Sequence, residues 1–174
     1  MAQTDIVTTW SLRIAERAAP DEVEVAPDMA RAFVAGGKAK RDLLRQSDSV
    51  QGGFGGDIVL VFPQILSAMD AAGPHLTHFL STVVDHSDVI ASFAGTLSSL
   101  VNVSSYLERR KKAQSLPDDP YAPLRQVSTI LTEELDWAGM QQEEADRIAY
   151  KVLMEMIEEP SEAAQFIRKV TQAP

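Results

Sequence analysis

Between Gln46 and Glu108 the chain carries no lysine and no arginine, and basic residues close in on both sides of that gap. Lys38, Lys40, Arg41 and Arg45 precede it; Arg109, Arg110, Lys111 and Lys112 follow it. Before Glu108 the only acids inside are Asp48, Asp57, Asp70, Asp85 and Asp88, and most other residues are apolar or small. Surface helices dot their wet faces with Lys and Arg. Helices built from this stretch therefore have a second face that is not simply solvated: it is buried in the protein, against a partner or in lipid.

Within the gap, the pattern reads as a helical hairpin over 51–113. Gly52-Gly53-Phe54-Gly55-Gly56 is a glycine-rich approach, and Asp57 suits a helix N-cap. Ile58 to Phe62 is either a buried strand ending at Pro63 or the start of a helix kinked there, since Ile65, Leu66 and Met69 continue an apolar face. Gly73-Pro74 bends the chain before a second helix from His75 to about Val84. Asp88 is placed to cap the next one.

From Val89 to Leu107 there is no formal charge. On a helix, Val89, Ile90, Phe93, Leu97, Leu100, Val101 and Leu107 share one side. The other side is Ala91, Gly95, Ser98, Ser99, Asn102 and Ser105, nearly all small. Two neutral faces imply two contacts, and the small face lets another helix approach closely. Ile90, Phe93, Gly95, Leu97, Ser98, Leu100, Val101 and Asn102 are thus the candidate interaction residues. The stretch meets the length of a membrane span, and the Arg109–Lys112 cluster resembles a stop-transfer flank. Against constitutive insertion stand Ser92, Thr96, Ser98, Ser99, Asn102, Ser104 and Ser105, and Asp70 in the other arm. A mid-membrane aspartate costs about 2.5–3.5 kcal/mol on insertion scales.

All three histidines fall in the hairpin. His75 and His86 project within about 20° of each other on a helix, but about 16 Å apart along its axis. His75 and His78 are spaced to share a metal, yet no third or fourth ligand lies nearby, so no metal site is expected. Protonating His75, His78 and His86 would add the segment's only positive charge, which makes them candidate pH-sensitive groups.

The flanking parts differ in character. Over 1–50, Trp10, Leu12 and Ile14 alternate with Ser11, Arg13 and Ala15, and Val23 and Val25 alternate with Glu22 and Glu24; this predicts two short strands. Pro27-Asp28 then opens a helix with Met29, Ala32 and Phe33, interrupted by Gly36-Gly37 ahead of Leu43-Leu44. Gly36-Gly37-Lys38 lacks the spaced glycines and Lys-Ser/Thr pair of a phosphate loop. Residues 114–120 are a proline-rich linker, and 121–174 form a small acidic helical unit. Leu124, Val127, Ile130, Leu131 and Leu135 make one stripe, ended by Gly139. Ala145, Ile148, Ala149, Val152, Leu153 and Met156 make the next, stopped by Pro160. A last helix, capped by Ser161, carries Phe166, Ile167 and Val170.

The expected fold is mainly α: a helical hairpin or bundle with a small N-terminal β element. At 174 residues the chain can bury a substantial core. A net charge of −9 argues against a nucleic-acid partner, whose phosphates need a basic footprint. The absence of cysteine excludes disulfides and thiolate chemistry, and the polar residues after Met1 do not read as a secretory signal, so the cytoplasm is the expected compartment. No His-Glu-x-x-His, Gly-x-Ser-x-Gly, phosphate-loop or dinucleotide motif occurs. Asp85-His86-Ser87-Asp88 has the residue types of a catalytic triad, but neighbours in sequence cannot converge as triad members must. Glu133-Glu134 and Glu143-Glu144 are exposed by helical phase rather than gathered in a pocket. The expectation is a non-enzymatic interaction or assembly protein without cofactor, contacting a protein partner or itself. The alternative is a conditionally membrane-active hairpin.

Overall fold

A computed structural model describes residues 5–48, 60–85 and 122–172. Among them stand eight helices and one 3-10 turn, with no strand. In chain order the helices are α1 (Ile6–Ala18), α2 (Ala26–Ala35), α3 (Gly37–Asp48), α4 (Val61–Ala71) and α5 (Gly73–Asp85), then α6 (Ala122–Trp137), α7 (Gln142–Glu158) and α8 (Pro160–Thr171). The mainly α expectation holds as a helical bundle. The N-terminal β element does not.

Both expected strands turn out helical, for a local reason. Trp10 and Ile14 alternate with polar residues, but they are also one helical turn apart. The buried face of α1 is Val7, Trp10, Ser11, Ile14, Ala15 and Ala18, a full 3.6-residue stripe that outweighs the three-residue alternation. Asp5 starts the helix as an N-cap, its carboxylate accepting from the Val7 N–H at 3.3 Å. Ala19 ends it, because a residue preceding proline avoids the α region. The Val23–Val25 segment lies where a 3-10 turn (Pro20–Glu22) runs into α2. There the Val25 N–H donates to the Glu22 carbonyl and the Met29 N–H to the Val25 carbonyl. Its backbone is thus satisfied locally and needs no ladder partner.

Helix α4 explains its own part of the gap in basic residues. Phe62, Pro63, Gln64, Ile65, Leu66, Ala68 and Met69 are all buried, so this helix has almost no wet face on which a lysine would be useful. It packs against α2, α3, α6 and α8. Pro63 sits in its first turn, where a missing N–H breaks no intrahelical bond, so the expected kink does not occur. The lone acid of α4, Asp70, is matched from α3: the Lys40 ammonium lies 2.8 Å from its carboxylate and 4.4 Å from the centroid of the Phe33 ring. Leu60, at the N-cap of α4, has no side chain to cap it. Glu22 supplies the cap from a distance, accepting the Val61 N–H at 2.6 Å and the Phe62 N–H at 2.9 Å. A buried carboxylate on two N–H groups at a positive helix end is a charge-assisted arrangement that offsets its desolvation.

Helix α5 lays Leu76, Phe79, Leu80 and Val83 into the core, mainly against α8. Only Ala72 separates it from α4, and the two helices meet α8 where the Gly73 backbone lies against the Thr171 side chain. Pro160 does not simply stop α7; it opens α8 immediately, with Ser161 inside the first turn rather than at the cap. Helix α8 buries Ala163, Phe166, Ile167 and Val170. Phe166 stacks on Trp10 with centroids 6.1 Å apart, joining the two ends of the chain.

A clamp of charges fastens α1 to α7 over that stack. Glu155 is buried and takes Arg13 Nε at 2.5 Å on one oxygen and Arg17 Nε at 2.6 Å on the other. Glu158 and Glu159 complete the cluster at 2.6 Å from Arg17 and 3.1 Å from Arg13. The Arg13 guanidinium also lies 4.6 Å from the Trp10 ring centroid. Burial works against its charge, but the hydrogen bond and charge of Glu155, with Glu159, prevail and hold its pKa above the ordinary value. Stripping the arginines would leave Glu155 buried and unpaired, a loss of about 3–5 kcal/mol.

Candidate functional site

The interaction residues expected from the sequence, Ile90, Phe93, Gly95, Leu97, Ser98, Leu100, Val101 and Asn102, lie outside the described residues, as does His86. His75 and His78 stand on the first turns of α5, half-buried and exposed respectively, beside the buried Leu76, Phe79 and Leu80. No group of three potential metal donors occurs among the described residues. Nor is any described helix long and apolar enough to cross a membrane.

The feature that sequence motifs do not reveal is Trp137. It is 88% exposed, whereas Trp10, Phe33, Phe62, Phe79 and Phe166 are all buried. Phase and position together account for the contrast. Leu124, Val127, Leu131 and Leu135 form the buried stripe of α6, while Ile130 is half-buried at its edge; at 100° per residue Trp137 lies about 125° from the centre of that stripe, and it is the last residue of the helix. The chain then closes the helix tightly: the Met140 N–H donates to the Leu135 carbonyl at 3.1 Å and the Gly139 N–H to the Asp136 carbonyl at 2.9 Å. Gly139 sits at φ 92°, a left-handed conformation that suits a residue without a Cβ and lets the chain reverse at once into α7. Gln64 of α4 steadies this turn, its amide donating to the Ala138 carbonyl at 3.5 Å. Trp137 is thus carried outward on a braced turn.

Acids surround it. Glu133, Glu134 and Asp136 on α6, with Glu143 at the start of α7, are exposed and form no ion pair among the described residues. Glu144 is held by Arg147 at 3.5 Å. Glu143 and Glu144 suit the positive N-terminal end of α7, but Glu134 and Asp136 occupy the last turn of α6, where the backbone carbonyls are already negative and no basic residue balances them. Stability does not explain that placement.

Beside the tip runs an open groove of about 940 Å³ between the 3-10 turn, the start of α4 and the α6–α7 turn. Its walls mix apolar Pro20, Val25, Val61 and Met140 with Arg147 and Lys151. Glu22 reaches it too, but both of its oxygens are committed to the α4 backbone, so it acts as a helix cap and not as a free acid or base. The surface combines an exposed aromatic, acids without an ion pair among the described residues and a nearby cleft. Compared with protein-family models, with curated proteins and with solved structures, the chain matches none.

Proposed function

We propose that this chain is a non-enzymatic interaction or assembly protein. The observation that carries the reading is Trp137, a large aromatic held in water on a braced turn while the bundle buries the phenylalanines and the other tryptophan named above. An aromatic of this size offers roughly 150–250 Å² for burial against a partner. Tryptophan is also among the residues that most often carry the binding energy of an interface. The neutral two-faced stretch 89–107 supports the same reading from sequence, with Gly95 and Ser98 on its small face.

The purified full chain, with whatever co-purifies, should give a species heavier than the 19.0 kDa monomer in native mass spectrometry. Gly95→Leu or Ser98→Leu should disturb that assembly more than it lowers the thermal unfolding midpoint. A strict monomer at tens of micromolar with no co-purifying partner contradicts the reading.

A further inference from the structure

Helix α3 turns a basic face outward. Lys38, Arg41 and Arg45 are exposed, lie within an arc of about 60° at 100° per residue, and form no ion pair among the described residues. Lys40, by contrast, is engaged by Asp70, and the half-buried Asp42 flanks the stripe. Lys38 stands in the first turn of α3, where the backbone N–H groups already present positive charge and no acid offsets it. The last turn of α6 has the mirror-image fault, carrying Glu134 and Asp136 at a negative helix end. One chain of net charge −9 therefore bears a basic stripe and an acidic tip, and Lys38 and the Glu134–Asp136 pair stand where their own helices are least suited to them, whereas Arg45 suits the last turn of α3. A rule broken locally without gain to the fold points to a role outside it.

We propose that the Lys38–Arg41–Arg45 face of one copy binds the Trp137 tip of a second copy. The inference rests on the interaction reading above and names the partner. Arginines pair with Glu133, Glu134 and Asp136 across the contact, and their planar guanidinium groups stack on the Trp137 indole. Charge then meets its complement at both helix ends. Because each copy carries both surfaces, a reciprocal contact closes as a dimer and a one-way contact extends into a chain.

Size-exclusion chromatography with light scattering on the full chain tests this, at about 50 mM and about 500 mM salt, where screening differs severalfold. At low salt the wild-type mass should rise with concentration; at high salt it should return to 19.0 kDa. Arg41→Glu with Arg45→Glu should weaken association by about tenfold or more. Glu133→Lys with Glu134→Lys should do the same while leaving the thermal midpoint unchanged or higher, since a base suits a helix C-terminus. An equimolar mixture of the two reversed variants should regain association, which excludes misfolding as the cause of the loss. The contact is overturned by a wild type that stays monomeric at low salt, by reversed variants that associate as wild type does, or by a mixture that stays monomeric. A wild type that assembles indifferently to these charges removes this contact and leaves the interaction reading standing. One that is monomeric and without any co-purifying partner removes both.

Discussion

Glu22 shows how much one side chain can carry in a small bundle. Its carboxylate is the only cap that α4 has among the described residues, and α4 is the most thoroughly buried helix described. Glu22→Gln leaves a single carbonyl oxygen for two backbone donors, so one N–H loses its acceptor. The expected loss is about 1–3 kcal/mol in urea unfolding, while Asp21→Asn, at an exposed neighbour, should stay within about 0.5 kcal/mol of wild type. Equal midpoints for the two variants would show that the cap contributes nothing. Tyr150 gives a test in pH. Burial raises its hydroxyl pKa above the ordinary 10.0, with the Arg17 charge opposing. A pKa raised by folding means that the neutral form is favoured in the native state. That stabilisation is complete below the unfolded value and is lost as pH climbs through the raised one, so the window opens near pH 10 and extends upward. Denaturation series at pH 9, 10 and 11 should show a decline that Tyr150→Phe reduces; the same decline in both proteins would contradict the assignment.

Helices in this chain were legible in proportion to the length of their periodic stripe. Ala145, Ile148, Ala149, Val152, Leu153 and Met156 recur over three turns, and all six are buried in α7. Leu124, Val127, Leu131 and Leu135 do the same in α6. Trp10-Leu12-Ile14 misleads because a run of five residues satisfies both a two-residue and a four-residue spacing; only Val7, Ala15 and Ala18 decide between them. The Glu22 cap could not be read at all, since its partners stand 39 and 40 residues away. Trp137 was not readable by phase, since it lies about 20° from Ile130 of the expected stripe at 100° per residue, and no motif marks it; its exposure follows from standing at the last residue of α6. The junction of α5 and α8 is a contact between elements that can be tested as a pair. Alanine in place of a helical glycine ordinarily stabilises by roughly 0.4–1 kcal/mol. At Gly73 the new methyl would collide with Thr171 Cγ2, so Gly73→Ala should instead destabilise by about 1–3 kcal/mol. Thr171→Ala, nearly neutral alone, should recover most of that loss in the double mutant. Additive effects across this cycle would show that the two helices do not meet as described.

For the whole molecule, the absence of Lys and Arg from 46 to 108 has two parts. Over α4 it reflects burial inside the bundle, with Lys40 reaching in to neutralise Asp70, whereas α5 keeps an exposed face of Pro74, His78, Ser81, Val84 and Asp85 without a base. Over 89–107, outside the described residues, the two neutral faces remain the basis of the proposed assembly role. The described surface adds Trp137 to that role, an anchor whose burial would give the protein a stable contact while leaving its own core untouched. Because Trp10 is wholly buried and Trp137 is 88% exposed, the two tryptophans of the chain report separately. Acrylamide quenching of tryptophan emission, followed from about 1 to 100 μM protein so as to span the weak-to-moderate affinity range, asks directly whether Trp137 becomes covered. One readily quenched and one protected population are expected in dilute solution, with the quenchable fraction falling as the protein is concentrated. A quenchable fraction that stays constant over that range would contradict the contact between copies at Trp137.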